Sequence, residues 1–202
     1  MSATQKIQKY IQKTPHGQPF ASSALMQFGT RAAVDQAISR LTTAGKILRI
    51  TRGIYVRPEK NRFIGLLLPE PFKVAEVIAK KTNEEIQISG AEAARQLGLS
   101  TQVPAQPVFL TTGQSRQFNL GSLTVTLKHV SRKKIPPLES KAGIAILALW
   151  YLGKNLVTLE VIKKIEQKLT AKEFKAFITS TEYMPIWMST IITQHKKGSN
   201  NA

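Results

Sequence analysis

The first 58 residues contain three short segments with helical spacing of apolar residues, followed by two β-rich runs, and this order limits the possible fold more than any other feature. The third segment is the clearest. Four of its apolar residues are spaced i, i+3, i+4 and i+7, which predicts an amphipathic helix with one buried face: Val34, Ala37, Ile38 and Leu41. Thr30 lies just before this segment, and its hydroxyl can cap the first turn. The sequence therefore predicts a helix over residues 30–44.

Two shorter helices are predicted before this one. The first spans about residues 4–13, where three apolar side chains recur at i, i+3 and i+4: Ile7, Tyr10 and Ile11. The second is expected to begin at Ser22 or Ser23, either of which can serve as an N-cap. It is expected to end at Gly29, in the left-handed conformation that often closes a helix. Three helices therefore precede the β-rich runs.

The two β-rich runs follow Gly45 and flank Thr51-Arg52-Gly53, which predicts a hairpin with Arg52 at its tip. Three helices followed by such a hairpin are typical of a winged helix–turn–helix domain, in which one helix enters the major groove of DNA. We therefore expect residues 30–44 to form the recognition helix. The hairpin is expected to reach the neighbouring backbone or the adjacent minor groove.

The chain is strongly basic, and its charge is unevenly distributed. It has 29 Lys and Arg residues against 12 Asp and Glu, for a net charge of +17. Residues 1–60 carry a net charge of +8 and the remaining residues +9, so the N-terminal segment is about twice as basic per residue. A positive field of this size attracts polyanions before any specific contact forms. Double-stranded DNA is therefore the expected partner.

The residues expected to contact DNA form three groups. Residues on the outward face of the predicted recognition helix are small or polar, and its arginines, glutamine and serine can reach base edges or phosphates. The hairpin adds two arginines. Three consecutive cations further along the chain are interpreted as a second phosphate contact, with a solvated loop as the alternative. The candidate DNA-binding residues are Thr30, Arg31, Ala32, Asp35, Gln36, Ser39, Arg40, Arg49, Arg52, Arg132, Lys133 and Lys134.

Polar and proline residues after position 58 predict a domain boundary. Residues 1–58 are expected to form the winged helix, 59–71 a linker, 72–195 a second domain and 196–202 a disordered tail. In the second domain, the patterns predict strands over about 85–88, 107–111, 116–119 and 123–128, and helices around Val74 and over about 90–97, 140–152, 158–169, 171–179 and 185–195. The predicted fold class is α+β, with a winged helix–turn–helix followed by a mixed α/β domain that ends in helices.

The sequence carries no recognisable catalytic motif. It lacks the glycine-rich loops that bind nucleotides, the paired histidines of zinc peptidases and the nucleophile elbow of serine hydrolases. It contains no Cys, and its three histidines, His16, His129 and His195, are isolated. We therefore expect a protein that is not an enzyme and needs neither a metal nor a cofactor.

The absence of cysteine also fits a reducing compartment, and we expect the protein in the cytoplasm. The N-terminus is interrupted by lysines and does not resemble a secretory signal. The longest apolar run covers residues 142–152, whereas a membrane-spanning helix needs roughly 20 residues. This run is therefore predicted to be a buried helix, and no contact with a membrane is expected.

Two stretches of the N-terminal segment together form a recognisable pattern: Phe28-Gly29-Thr30-Arg31-Ala32-Ala33-Val34-Asp35-Gln36-Ala37-Ile38-Ser39-Arg40-Leu41 and Gly45-Lys46-Ile47-Leu48-Arg49-Ile50-Thr51-Arg52-Gly53-Ile54-Tyr55. They resemble the N-terminal winged helix of AbiEi-type antitoxins from bacterial type IV toxin–antitoxin systems. The Gly-x-Arg start of the third helix and the Arg-Gly-hydrophobic-Tyr hairpin recur in that family. A weaker similarity continues over about residues 86–135, where residues 88–99 and 102–104 carry it, and the last 60 residues show none.

The resemblance implies a DNA-binding antitoxin that represses its own operon and counteracts a nucleotidyltransferase toxin encoded beside it. The partners it implies are an operator, expected to be an inverted repeat, and that toxin. One alternative is a stand-alone winged-helix regulator whose C-terminal domain senses a ligand or mediates assembly. A further alternative is an RNA-binding protein, because winged helices also dock on structured RNA. The identity of the neighbouring gene separates the first two.

Overall fold

The computed structural model describes residues 2–63, 65–136 and 140–199. Its helices are α1 (Ala3–Lys13), α2 (Arg31–Thr43), α3 (Pro71–Thr82), α4 (Gly90–Gln96), α5 (Lys141–Leu152), α6 (Leu159–Lys168), α7 (Ala171–Thr179) and α8 (Ile186–Ser199). Its strands are β1 (Pro19–Ala21), β2 (Leu48–Thr51), β3 (Ile54–Val56), β4 (Glu59–Asn61), β5 (Gly65–Leu67), β6 (Ile86–Ile88), β7 (Val108–Thr111), β8 (Arg116–Leu120) and β9 (Leu123–His129). Short 3₁₀ helices span Ser22–Phe28, Arg132–Lys134 and Thr181–Tyr183. The α+β class is confirmed.

The chain divides into two compact units, and the division differs from the expected one. The first unit comprises the described residues up to Glu84 together with Arg116–Thr126, and the second comprises Glu85–Ser115 and the described residues from Leu127 onward. Residues 59–71, expected to be a linker, instead contain β4 and β5, which pair antiparallel. Helix α3, expected in the second domain, packs against β1 and so belongs to the first unit.

The core of the first unit is built from the predicted apolar faces. α1, the first 3₁₀ helix and α2 bury their side chains together, and Phe20 of β1 and Ile47, just before β2, complete the cluster. Its buried members are Ile7, Ile11, Phe20, Leu25, Val34, Ala37, Ile38, Leu41 and Ile47. Thr30 caps α2 as predicted, because its hydroxyl accepts a hydrogen bond from the backbone N–H of Ala33 at 3.4 Å.

A three-stranded antiparallel sheet of order β1-β3-β2 completes this core. The predicted hairpin is present as β2 and β3, and Gly53 in its turn has φ +76°, a conformation that favours glycine. We refer to this hairpin as the wing. β1 was not predicted: it pairs with β3 in the register Pro19↔Val56 and Ala21↔Ile54.

The second predicted helix differs in type and in both of its ends. Ser22–Phe28 is a 3₁₀ helix whose N-cap is Ala21, and no side chain caps it, so neither predicted serine fulfils that role. Gly29 has φ 172°, which is extended and not left-handed. Glycine fits here because a Cβ at this position would lie 2.9 Å from the Cβ of Ala3 on α1. Close packing, and not turn geometry, therefore explains this glycine.

The second unit is mainly helical around α5, and its strands and helices lie close to the predicted ranges. β6 pairs antiparallel with β7, in the register Ile86↔Thr111. α4 packs tightly on α5, since a Cβ on Gly90 would lie 2.6 Å from the Cβ of Tyr151. α5 buries seven residues, as predicted for its long apolar run: Ala142, Gly143, Ala145, Ile146, Leu147, Ala148 and Leu149.

The C-terminal helix is longer than predicted. α8 continues to Ser199, past residue 195, where the sequence pattern placed its end. Residues 200–202 of the expected disordered tail lie outside the described residues. Within residues 2–63, 65–136 and 140–199, none of the helices combines the length and apolar character that crossing a membrane requires.

Candidate nucleic-acid interface

Helix α2 separates its residues cleanly into a buried face and an exposed face. The four residues of the predicted apolar face are all buried. All seven candidate DNA-binding residues on and before α2 are exposed: Thr30, Arg31, Ala32, Asp35, Gln36, Ser39 and Arg40. The exposed face of α2 therefore lacks bulky apolar side chains and is rich in hydrogen-bonding groups. Both properties suit close approach to base edges.

Two of these residues are already paired with each other. The Nε of Arg31 lies 2.8 Å from an Oδ of Asp35, one turn further along α2, and the two side chains are 75% and 54% exposed. An exposed pair of this kind contributes at most about 1 kcal/mol to stability. Arg31 can therefore leave Asp35 for an anionic partner at low cost.

The wing presents two further exposed cations, Arg49 on β2 and Arg52 in the turn. The register of β2 against β3 shifts between Arg49 and Thr51, which is the irregularity of a bulged strand. The backbone N–H of Ser22 donates to the carbonyl of Gly53 at 2.9 Å. The wing turn is therefore tied to the start of the 3₁₀ helix and keeps a defined position.

One cation of the N-terminal segment has a structural role. The guanidinium of Arg57 donates to the carbonyl of Gln12 at 2.8 Å and to that of Thr14 at 3.2 Å. These carbonyls lie at the C-terminal end of α1, where backbone acceptors lack helical partners. Arg57 therefore closes this helix, and its charge is less available to a ligand than those of Arg49 and Arg52.

The structure also places at the wing a cation that the sequence analysis missed. Lys81, in the last turn of α3, has its Nζ 2.9 Å from the position that a Cβ on Gly53 would occupy. Lys81 is exposed, and it lines a groove with Arg52 and with Arg116 of β8. In the sequence, the one sign of this cation is the pair of adjacent lysines at positions 80 and 81. Their position relative to the wing depends on the packing of α3, which the sequence pattern does not give.

The cluster of Arg132, Lys133 and Lys134 lies in the second unit, whereas the other nine candidate residues lie in the first. It forms one turn of 3₁₀ helix, and all three residues are exposed. Arg132 pairs with Glu85 at 2.6 Å, and the Nζ of Lys134 lies 4.7 Å from the centre of the Trp150 ring. Two of the three cations therefore have partners within their own unit.

Acidic side chains of the second unit are used at helix starts. Arg95, hydrogen-bonded to Glu92 in α4, lowers the pKa of that carboxyl. The pKa of Glu173 in α7 is also lowered, first by its hydrogen bond from the backbone N–H of Thr170. The contact with Thr170 is part of a capping box that stabilises the first turn of α7, whereas the pair with Arg95 links the first and last turns of α4. Among the described residues, no group of three or more His, Asp or Glu side chains is placed to hold a metal ion.

Comparison with known families assigns the chain to a group. DUF6088, a family of unknown function, matches residues 6–177. The chain belongs to the DUF6088 family. The matched range includes all twelve candidate DNA-binding residues.

One solved structure has a distant likeness to this chain. The crystal structure of the RV2827C protein from Mycobacterium tuberculosis is similar over 90% of this chain and 73% of that one, with 13% sequence identity and a TM-score of 0.44. None of the curated proteins matches the chain. The resemblance to AbiEi-type antitoxins therefore stays a prediction.

Proposed function

We propose that the protein binds double-stranded DNA, with α2 in the major groove and the wing on the adjacent backbone. The observation that carries this proposal is the exposed face of α2, which is small, polar and basic and belongs to the same unit as a basic wing. α1, the 3₁₀ helix, α2 and the wing follow one another in the order of a winged helix–turn–helix domain.

The side chains of α2 support contacts with bases. Gln36 and Ser39 are exposed in the middle of the helix and have no bulky apolar neighbours on the same face. An amide can bond to two groups on an adenine edge, and a hydroxyl can serve as donor or acceptor. Arg31, at the N-terminal end of α2, can reach a guanine or a phosphate.

The cations around this face support contacts with phosphates. Arg40, Arg49 and Arg52 are exposed, and among the described residues none of the three takes part in an ion pair. Side chains of this kind bind backbone phosphates and release counterions. Affinity for DNA should therefore depend strongly on salt.

The test is the salt dependence of binding to a labelled duplex, measured by fluorescence anisotropy. With four to six phosphate contacts, affinity should fall by roughly two to three orders of magnitude between 50 and 200 mM salt. The double variant R49Q/R52Q should show a smaller decrease in affinity over the same range of salt. The control K163Q/K164Q removes two exposed lysines of α6 in the second unit and an equal charge. A flat curve for the unmodified protein, or equal effects of the two variants, would refute the proposal.

The biological role that we propose is that of an antitoxin and autorepressor of a type IV toxin–antitoxin operon, acting in the cytoplasm. The resemblance of residues 28–55 to AbiEi-type antitoxins supports it. The role requires a nucleotidyltransferase toxin gene next to this one. Coexpression of this protein should restore growth to cells that express that toxin. Failure of the protein to restore growth would contradict the proposed role.

A second candidate is a stand-alone regulator whose second unit binds a ligand. An open groove of about 520 Å³ on that unit favours it. The groove lies against α8 and is lined by Lys154, Val157, Ile186, Trp187, Thr190, Ile191 and Gln194. DNA binding without any rescue from a neighbouring toxin would favour this candidate.

A further inference from the structure

Three cations from separate segments of the first unit meet at one groove. Arg52 comes from the wing turn, Lys81 from the last turn of α3 and Arg116 from β8. The groove has a volume of about 270 Å³, and its remaining lining is apolar or uncharged: Thr51, Ile54, Ile78, Thr82, Gln117 and Phe118. The folding of this unit therefore gathers positive charge that is dispersed along the sequence.

Of these three cations, Arg116 is balanced by an acidic side chain of the same unit. Arg116 makes two hydrogen bonds to the carboxylate of Glu84, the shorter at 2.6 Å, and the Glu84 side chain is 12% exposed. Among the described residues, neither Arg52 nor Lys81 forms an ion pair. Neighbouring like charges repel one another, and an anion that lies against both relieves the repulsion.

Arg52 and Lys81 both lie on backbone segments that are held in place by hydrogen bonds. The wing turn is tied to Ser22 through the carbonyl of Gly53, at 2.9 Å. At the end of α3, the hydroxyl of Thr82 donates to the carbonyl of Ile78 at 3.0 Å. The backbone at this groove is therefore already ordered before a ligand binds. Binding then costs less conformational entropy than it would with a flexible backbone.

We propose that Lys81 and Arg52 form one phosphate-binding edge, across which the backbone of duplex DNA passes. The inference rests on the proposed function and extends the DNA interface from α2 and the wing to α3. The ligand is the phosphodiester backbone, because the groove offers cations, and the amide of Gln117, which could otherwise read a base edge, already donates to the Thr126 hydroxyl at 3.1 Å. Lys81 therefore contributes to affinity and not to sequence preference.

A structural role for the lysines makes a different prediction. Cations in the last turn of a helix interact favourably with its dipole, and Lys80 and Lys81 both occupy the last turn of α3. In that role the two lysines are equivalent. In the phosphate-binding role they are not, because Lys81 lines the groove and Lys80 does not.

The experiment compares K81Q, K80Q and K81R in the full chain, using fluorescence anisotropy on one duplex over a range of salt concentrations. K81Q should reduce the slope of log K against log salt by about 0.9, the value for one lost phosphate contact. K80Q should leave the slope unchanged, and K81R should restore it. Both glutamine variants should have the same melting temperature.

The possible outcomes separate the two proposals. Equal slopes for K81Q and K80Q, with DNA binding intact, would overturn the phosphate-binding edge and leave the proposed function standing. A K81R variant that behaves like K81Q would overturn the edge as well. Failure of the unmodified protein to bind the duplex would overturn both proposals.

Discussion

At the scale of single residues, the ion pair between Arg31 and Asp35 offers a direct test of base reading by α2. Arg31→Ala and Gln36→Ala should each cost about 1–3 kcal/mol on a cognate duplex and much less on random duplex, if both side chains contact bases. Asp35→Asn should tighten binding to both, because it removes a carboxylate that would repel the DNA backbone and frees Arg31. Competition binding with the two duplexes measures each effect.

The control for this prediction is Val34→Ala, a buried residue on the opposite face of α2. It should lower the melting temperature by creating a cavity and should affect DNA binding only through unfolding. Folded R31A and Q36A proteins that bind both duplexes like the unmodified protein would show that α2 does not read the DNA sequence.

At the scale of elements, two glycines around the wing separate turn strain from contact with α3. Gly45 and Gly53 both have positive φ, +66° and +76°, so alanine at either position should cost about 1–2 kcal/mol of unfolding free energy. A Cβ at Gly53 would also displace the Lys81 ammonium, whereas nothing lies within 4 Å of a Cβ at Gly45. G53A should therefore weaken DNA binding more than G45A at equal stability, as measured by anisotropy and thermal melting. Equal affinities would contradict the contact.

The elements also show what the sequence could predict. The faces of α1 and α2 follow from apolar spacing within a few residues, and they were predicted together with the exposed candidate residues. β1 is only three residues long, and it exists because residue 19 pairs with residue 56. Lys81 reaches the wing for a similar reason, since the packing of α3 against β1 depends on residues distant in sequence. Local sequence patterns contain no information about either the β1–β3 pairing or the packing of α3 against β1.

At the scale of the whole molecule, the sequence predicted a linker over residues 59–71, whereas the structure places β4 and β5 there, and this changes what cleavage of the chain should do. α3 follows the β4–β5 hairpin and buries Val74, Ala75 and Ala79, and it packs on β1 and β3. Residues on both sides of the hairpin therefore pack together in one compact unit. Cutting the chain within the hairpin should not release the segment that precedes it.

A protease site inserted between Arg62 and Phe63, which are both exposed, tests this expectation. After cleavage the two pieces should elute together in size-exclusion chromatography and separate only in denaturant, because the apolar contacts of α3 remain buried. The cleaved protein should also keep the salt dependence of the uncleaved control, since Arg52 and Lys81 would stay together at the same groove. Release of the N-terminal piece in native buffer would show that α3 is not held by the first unit. In that case the DNA interface would end at the wing.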